Sequence, residues 1–253
     1  MEKAKNYESF DQVLRAFLEK ENVKEKKEHS NDWWWASDLG LCKRKQFFRR
    51  MNIVPSEKKE WRFMFVAEDG KAGHEWREKA AEKMGVLIAK EGRLISKKYR
   101  YRGRFDLIVK INGKPVLIDI KTQRPEAFFR RKSKPQEKQV EEFQKLQLAS
   151  YVLFARSEFP KLKIKEARIY YVDRGGGLRD EFVFHFKKNV FQKVLNELNT
   201  LNNLWKQKKL PPVLKENKWQ CKFCPWATIC KKVEKNKLDF KKIKQLYGSK
   251  EKK

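Results

Sequence analysis

The clearest hydrophobic pattern in the chain is a pair of apolar runs over residues 105–111 and 115–120. Asn112 and Gly113 separate the two runs, with Lys114 following them. An Asn-Gly pair between two such runs is the strongest short-range signal for a two-residue β-hairpin. The pattern therefore predicts two antiparallel strands joined by a tight turn.

The register of this hairpin brings three charged side chains to one place. Ile111 pairs with Lys114 in a two-residue hairpin, and counting outward places Asp106 opposite Asp119. Opposed residues have Cβ atoms roughly 5 Å apart and share a face. Lys121 follows Asp119 by two residues and, because side chains alternate along a strand, points to that face as well.

Two carboxylates and an amine on one face are suited to metal-dependent cleavage of a phosphodiester. Carboxylate oxygens bind Mg²⁺ or Mn²⁺, and the metal activates a water and neutralises phosphate charge. A lysine can orient or deprotonate that water. The alternative is a solvated hairpin end with a salt bridge, and an acid two residues before a lysine also occurs at Glu57, Asp69 and Glu216.

Helical and strand periodicities account for most of the remaining chain. In the predicted helix over 139–156, a buried stripe would contain Phe143, Leu146, Ser150 and Leu153. The other predicted helices cover 7–20, 58–85 and 188–208, and a further helix follows a Ser37 N-cap. The predicted strands cover 86–95, with a break at Gly92, and 163–172 and 181–187.

Aromatic residues in two polar segments are candidates for stacking on nucleic-acid bases. Residues 122–140 contain two prolines and many basic residues, which predicts a flexible basic loop that carries Phe128 and Phe129. A solvated surface loop is the alternative. Trp33–Trp35 also has two interpretations, because the indoles could stack on bases or pack over the core.

The charge balance indicates a polyanionic partner. The 253 residues include 62 lysines and arginines against 33 acids, which gives a net charge of +29. Nucleic acid is the first expectation and an anionic membrane surface is the second. The chain has no apolar run of about 18 residues that would span a membrane and no apolar signal-peptide core near its first residue, so we expect a cytoplasmic protein.

Four cysteines and one histidine are candidate ligands. Cys221, Cys224 and Cys230 form a close group, and Cys42 would supply a fourth thiolate. Zinc and a [4Fe–4S] cluster both accept four thiolates, and spacing does not choose between them. The alternative is four unrelated buried thiols. His74 is one of three histidines and would be either a structural residue or a metal ligand.

Several short motifs follow one another in a fixed order over residues 37–230. Gln147 and Tyr151 are four apart on one helix, so they are neighbours on its surface. The motifs are Ser37-x-Leu39-x-x-Cys42-x-Arg44-x-x-Phe47, Gly70-x-x-x-His74, Gly103-x-x-Asp106, Asp119-Ile120-Lys121, Gln147-x-x-x-Tyr151 and the triplet Cys221, Cys224 and Cys230.

This ordered set resembles the RecB-like branch of the PD-(D/E)XK nucleases. Within that branch it is most similar to members with an iron–sulfur cluster, namely the CRISPR-associated RecB-like exonucleases, the AddB nuclease domain and related viral enzymes. Phe105 stands where the nominal motif has proline, and Asp119 stands where it has glutamate. The resemblance implies an α/β fold with a mixed sheet flanked by helices, αβββαβ at its core. Three regions are expected, an N-terminal helical segment over 1–60, a nuclease core over 61–208 and a C-terminal cysteine and basic region over 209–253.

The resemblance also implies a chemistry for these positions. The expected activity is Mg²⁺- or Mn²⁺-dependent exonuclease action on single-stranded DNA ends, with possible integrase or recombination partners or self-association. The alternatives are a DNA-binding or complex-assembly protein with a weak or vestigial nuclease site, and a zinc-stapled RNA-binding module. The implied residues are His74, Asp106, Asp119 and the Ile120 carbonyl for the metal, Lys121 for the attacking water, Gln147 and Tyr151 for the scissile strand, and Cys42, Cys221, Cys224 and Cys230 for a [4Fe–4S] cluster.

Overall fold

The computed structural model describes residues 12–18, 32–57, 61–175, 177–213 and 218–249. Helix α1 covers 12–18, and the rest of the helix predicted over 7–20 lies outside the described residues. The strands are β1 (Trp34–Trp35), β2 (Leu87–Lys90), β3 (Arg93–Ser96), β4 (Tyr101–Arg104), β5 (Leu107–Ile111), β6 (Lys114–Gln123), β7 (Glu166–Asp173) and β8 (Arg179–Phe184).

Helices surround these strands along the whole described chain. Within the described ranges, each helix is too short or too polar to span a lipid bilayer. The helices after α1 are α2 (Lys43–Arg50), α3 (Trp61–Lys83), α4 (Pro125–Lys132), α5 (Glu142–Glu158), α6 (Lys188–Lys206), α7 (Lys218–Lys222), α8 (Ala227–Lys235) and α9 (Phe240–Tyr247).

The larger sheet has five strands in the order β2-β5-β6-β7-β8. Strands β6 and β7 are parallel, and the other neighbouring pairs are antiparallel. Helix α5 lies on the crossover between the two parallel strands, as a parallel connection requires. The succession α3, β2, β5, β6, α5, β7 reproduces the expected αβββαβ core, and the predicted mixed α/β architecture is confirmed.

The hairpin between β5 and β6 has the predicted register, with Ile111 paired to Lys114. Asn112 and Gly113 have φ angles of 48° and 75°, which is the backbone of the tight turns that favour Asn-Gly. The ladder of β5 begins at the pair Leu107 and Ile118, so Asp106 lies one residue before the strand rather than inside it.

A second, three-stranded sheet in the order β1-β4-β3 lies beside the first. The strand predicted over 86–95, with a break at Gly92, forms two strands in the structure, of which β2 belongs to the large sheet and β3 to the small one. The change of sheet takes place at Gly92, where an added Cβ would lie only 2.1 Å from Phe105 Cζ. The chain therefore changes direction at a residue that has to be glycine, because the Phe105 ring occupies the space that a side chain would need.

Helix α5 is buried on more than one side. It contacts β7 of the large sheet and also β3, β4 and a 3₁₀ turn at Ala36–Asp38. The predicted stripe is confirmed only in part, because Ser150 is buried, whereas Leu146 and Leu153 are half-buried and pack against the core. The residues of α5 that are buried are Gln147, Leu148, Ala149, Ser150, Tyr151, Val152, Phe154 and Ala155.

The basic segment after β6 is not a flexible loop. It forms α4 and a 3₁₀ turn at Gln136–Lys138. Pro125 occupies the first turn of α4, where a missing N–H costs nothing. Phe128 and Arg131 are buried on one side of the helix. This burial favours a helix, although the charged residues and the prolines of the segment predict a loop.

Residues in and just after α2 pack against the region of α8 and α9 in a separate apolar cluster. Its largest members are Phe48 and Met51 from the N-terminal part and Trp226 and Ile229 from the C-terminal part. The predicted Ser37 N-cap is wrong, because α2 begins at Lys43 with Cys42 in the N-cap position. The expected division into regions 1–60, 61–208 and 209–253 stays a prediction.

Candidate active site

The end of β6 and the facing side of α5 bring three of the predicted residues together. Lys121 Nζ lies 3.2 Å from Asp119 Oδ1, 2.9 Å from Asp119 Oδ2 and 2.9 Å from Gln147 Oε1. Asp119 is 2 % exposed, and its Oδ2 is buried and accepts no hydrogen bond, so the short contact with the amine is an ion pair only. This leaves one buried anionic oxygen with unused capacity for a cation.

Asp106 meets this group from the start of β5. The amide of Ile120 donates to Asp106 Oδ2 over 2.6 Å, which ties the carboxylate to β6. Burial raises the pKa of Asp106 to about 7, and the charge of Asp119 contributes in the same direction. The two predicted acids are therefore close enough to repel each other, and the repulsion favours binding of a positive charge.

His74 reaches the same point from α3, on the other face of the sheet. Its Nδ1 lies 3.6 Å from Asp106 Oδ1. Burial lowers the pKa of His74, and the charges of Lys121 and Arg77 add to this against the opposite effect of Asp119. A lowered pKa keeps the imidazole neutral at neutral pH, which is the form that can bind a metal.

A buried hydrogen-bond chain extends from the amine into α5. Gln147 Nε2 donates to Tyr151 Oη over 2.7 Å, and Ser150 Oγ donates to the Gln147 carbonyl over 2.7 Å. Tyr101 on β4 completes it, with its hydroxyl 2.9 Å from Ser150 Oγ. Burial raises the pKa of Tyr151 well above its ordinary value, so the hydroxyl stays protonated. The side chain of Gln147 is thus held between Lys121 and Tyr151, and its backbone carbonyl is held by Ser150.

The donor chemistry of the site fits a hard divalent cation. Asp106 and Asp119 offer carboxylate oxygens, and one of these oxygens is buried without a hydrogen-bond donor. Nevertheless, among the described residues no set of three or more His, Cys, Asp or Glu side chains is spaced to enclose a metal ion. The third protein ligand, whether His74 or the Ile120 carbonyl, stays a prediction.

The four cysteines share one region near α2 and α8 and are free thiols. The Cys42 amide donates to Gln220 Oε1 over 2.9 Å, beside Cys221. Burial raises the pKa of both Cys224 and Cys230, and the charge of Cys42 acts on each in the same direction. The thiols are therefore neighbours, but within the described ranges no three of them are spaced to enclose a metal ion.

Some features of this area were not predicted from the sequence. Ser150 and Tyr101 support Gln147, but neither is a defined position of a motif. The role of Ser150 had one signal in the sequence, namely a polar residue in the middle of an apolar helix. The role of Tyr101 had none. Of the stacking candidates, Phe128 is 4 % exposed and is excluded, whereas Phe129 is 60 % exposed. Among the tryptophans, Trp34 is buried in the core.

Comparisons with known proteins identify a family and solved structures with a similar fold. The family model of the PD-(D/E)XK nuclease superfamily matches residues 3–231. No curated protein sequence matches the chain. The crystal structure of SSO0001 is 19% identical, with a TM-score of 0.55 over 88% of this chain and 98% of that one. The alkaline exonuclease LHK-Exo from Laribacter hongkongensis is 10% identical, with a TM-score of 0.46 over 73% of this chain and 93% of that one. The family match covers most of the chain, and we conclude that the chain belongs to the PD-(D/E)XK nuclease superfamily.

Proposed function

We propose that the protein is a metal-dependent exonuclease that hydrolyses DNA, with single-stranded ends as its substrate. The observation that carries this proposal is the position of Lys121 Nζ, 2.9 Å from Asp119 Oδ2 and on the strand that also holds Asp106 in place. Membership of the nuclease superfamily supports it independently.

Asp106 and Asp119 would hold the divalent ion, with His74 as a further ligand. Bound there, Mg²⁺ or Mn²⁺ lowers the pKa of a water molecule and neutralises charge on the phosphate. The same ion would offset the burial and the repulsion by Asp119 that together raise the pKa of Asp106. The protein contributes a preformed pair of acids on a rigid hairpin, so little reorganisation is needed on binding.

Lys121 would act on the attacking water or on the charge that develops on the phosphate. Its amine is held between Asp119 and Gln147, so it has a fixed direction before the substrate arrives. Gln147 and Tyr151 would position the scissile strand, since their side chains are joined to each other and to the amine. A network that fixes each side chain in one rotamer avoids the cost of ordering it during the reaction.

Substitution of the hairpin residues tests the proposal. Asp119→Ala and Lys121→Ala should abolish Mn²⁺-dependent degradation of end-labelled single-stranded DNA while leaving the thermal unfolding curve cooperative. Lys110→Ala is the matched control, because Lys110 is an exposed lysine on the same hairpin. Full activity in either of the first two variants would falsify the assignment.

DNA is the proposed substrate because the net charge of +29 indicates a polyanionic partner and the chain belongs to a nuclease superfamily. The preference for single-stranded ends draws on the exposed Phe129 beside a basic helix surface. Matched single-stranded DNA, duplex DNA and single-stranded RNA, each labelled at one end, separate these substrates. Release of short products from closed circular single strands would contradict an exonuclease.

We further propose that Cys42, Cys221, Cys224 and Cys230 hold a [4Fe–4S] cluster with a structural role. Four neighbouring thiols are the donor set that such a cluster takes. Burial raises the pKa values of Cys224 and Cys230, although the charges of Lys45 and Arg44 act in the opposite direction. Anaerobic purification should give a brown protein with bound iron and sulfide. A colourless protein containing one zinc ion would assign the site to zinc instead.

A second candidate is a DNA-binding or assembly protein with a weak or vestigial nuclease site, acting with an integrase or recombination complex. It is favoured by one observation, namely that the described acids and histidines do not enclose a metal ion in groups of three. Calorimetric titration of Mn²⁺ into the wild type and Asp106→Ala distinguishes the two candidates. Equal, negligible heats would favour the second one.

A further inference from the structure

A small depression lies between β1 and the last turn of α2, away from the hairpin acids. It is shallow and open to solvent, and its lining includes Trp33, Trp35, Asp38, Arg49 and Arg50. Trp33 and Trp35 are half-buried, while Trp34 between them is buried, as alternation along an extended segment requires. Two partly accessible indoles and two guanidinium groups therefore meet in one concave surface.

Arg50 is the unusual member of this surface. Its guanidinium lies 4.4 Å from the ring of Trp34 and 4.3 Å from the ring of Trp205, so an indole covers each face. Arg50 is only 8 % exposed, and its Nε and Nη1 are buried without an acceptor. Burial lowers the pKa of Arg50 to about 10, with the charge of Arg100 adding to the effect and the charge of Asp32 opposing it.

This environment favours an anionic ligand. A buried donor without an acceptor loses the hydrogen bonds that water supplied in the unfolded chain, and the loss is greater for a charged group. An oxyanion that reached the edge of the guanidinium would restore them, and a guanidinium is well shaped to bind phosphate. Arg49, which is ion-paired with Asp38, and Arg102, 5.1 Å from the ring of Trp35, add positive charge nearby.

The depression is within a short strand's reach of the hairpin acids. Trp35 pairs with Arg102 on β4, and Arg102 precedes Asp106 by four residues. Four residues span at most about 14 Å even when fully extended. A stacked nucleic-acid strand advances about 3.4 Å per nucleotide, so roughly four nucleotides would bridge the two sites.

We propose that this depression is a second nucleotide subsite for single-stranded nucleic acid, in which Arg50 and Arg49 bind a backbone phosphate and the indoles of Trp33 and Trp35 stack on a base. The inference rests on the proposed function, since the strand bound here is the substrate of the hairpin site. The subsite would hold the substrate about four nucleotides from the point of cleavage.

Binding measured without cleavage tests the subsite. All variants are made in a Lys121→Ala background and titrated in EDTA with a labelled oligothymidylate of about a dozen nucleotides, within the site sizes of single-strand binding modules. Trp33→Ala, Trp35→Ala and Arg50→Lys should each weaken binding by about fivefold or more, because removing one stacking platform has at least that effect. Leu246→Ala, which removes an exposed apolar side chain from α9, is the control and should bind as the parent does.

A thymidine dinucleotide provides the second comparison, because it is too short to bridge the two sites. Because the dinucleotide can bind at either site alone, Trp33→Ala should weaken its binding less than it weakens binding of the long oligonucleotide. Trp33→Ala changes a half-buried side chain and should leave the fold intact. The proposal is overturned if Trp33→Ala and Trp35→Ala both bind the long oligonucleotide as tightly as the parent. Nuclease activity in otherwise wild-type protein is measured separately, so a failed subsite and a failed nuclease assignment give different results.

Discussion

Lys121 Nζ lies 2.9 Å from Gln147 Oε1, so the end of β6 and the middle of α5 are joined at a single amine. The contact links two segments that are 26 residues apart in the chain. It also connects the Asp119 ion pair to the Tyr151 hydrogen bond. The Oε1 atom of Gln147 accepts from Lys121, and its Nε2 atom donates to Tyr151. The direction of the amine is thus set by α5 as well as by the hairpin.

Removing this amide should therefore cost activity more than stability. We expect Gln147→Ala to lower kcat on single-stranded DNA by up to about a hundredfold, because small misplacements of a reacting group can have that effect. Tyr151→Phe removes one hydroxyl and leaves the contact between Lys121 and Gln147, so its effect should be smaller. Steady-state kinetics with Mn²⁺ measures both, and an equal or larger loss in Tyr151→Phe would contradict this role for Gln147.

Divalent metal should stabilise the folded protein through the acid pair. At a hundredfold excess over the dissociation constant, binding contributes about 2.7 kcal/mol, which raises Tm by about 5–10 °C in a chain of this size. Asp106→Asn should abolish that rise. Without metal, the same variant should be at least as stable as the wild type, because the charge of Asp119 then faces an uncharged amide.

Differential scanning calorimetry with and without Mn²⁺ checks the acid-pair prediction. Glu158→Gln, which changes an exposed acid at the end of α5, should keep the full metal response. A Tm rise in Asp106→Asn as large as in the wild type would show that the ion binds elsewhere.

The ion pair that anchors α4 should give a pH-dependent stability. Burial alone would raise the pKa of Asp180, but hydrogen bonds from Arg131 and Lys132 outweigh it and hold the pKa below its ordinary value. The resulting stability is present above the unfolded pKa of about 3.9 and is lost as pH falls through the folded pKa. Asp180→Asn should therefore cost about 1–3 kcal/mol at neutral pH, and its difference from wild type should shrink below about pH 4.

Urea unfolding at several pH values measures the Asp180 effect. Asp69→Asn, an exposed aspartate on α3, should differ little from the wild type throughout. A difference for Asp180→Asn that stayed constant down to about pH 2 would exclude the ion pair as its source.

Two glycines from the sequence motifs should respond oppositely to alanine. A Cβ at Gly103 would lie 2.5 Å from Tyr101 Oη and 3.0 Å from Tyr151 Cε1, so Gly103→Ala should cost about 1–3 kcal/mol by overpacking. At Gly70 no atom lies within 4 Å of the added Cβ, and Gly70→Ala should stabilise α3 by about 0.5–1 kcal/mol. Thermal unfolding of the two variants measures both signs, and destabilisation by Gly70→Ala would refute the second.

Local turn chemistry was the most informative part of the sequence. Asn112 and Gly113 predict the turn, the turn sets the register, and the register places Asp106 and Asp119 near each other. The structure adds that Asp106 precedes the strand and is held by the Ile120 amide, which no periodicity could indicate. Short-range rules therefore located the site but not its hydrogen bonds.

Predictions failed where tertiary contacts override local preference. Segment 122–140 is rich in charge and proline, yet α4 forms in it. The reason is that Phe128 and Arg131 are buried, with Arg131 stacked on the ring of Tyr171 in β7. The single stripe predicted for α5 assumes one covered face, whereas this helix contacts both sheets and α6. In both cases the decisive partner is distant in sequence, so a window of neighbouring residues cannot contain the information.

The pairing of Arg44 with Glu234 has a consequence for how the chain is made. The two residues are 190 positions apart, and the apolar cluster around Phe48 likewise depends on Trp226. A ribosome adding about 5–20 residues per second needs about 10–40 s to cover that interval. Throughout this time α2 lacks the C-terminal residues that cover it. Its apolar side is therefore exposed and can aggregate or bind chaperones. We therefore expect nascent protein stalled before α8 to be far more sensitive to protease than the released chain.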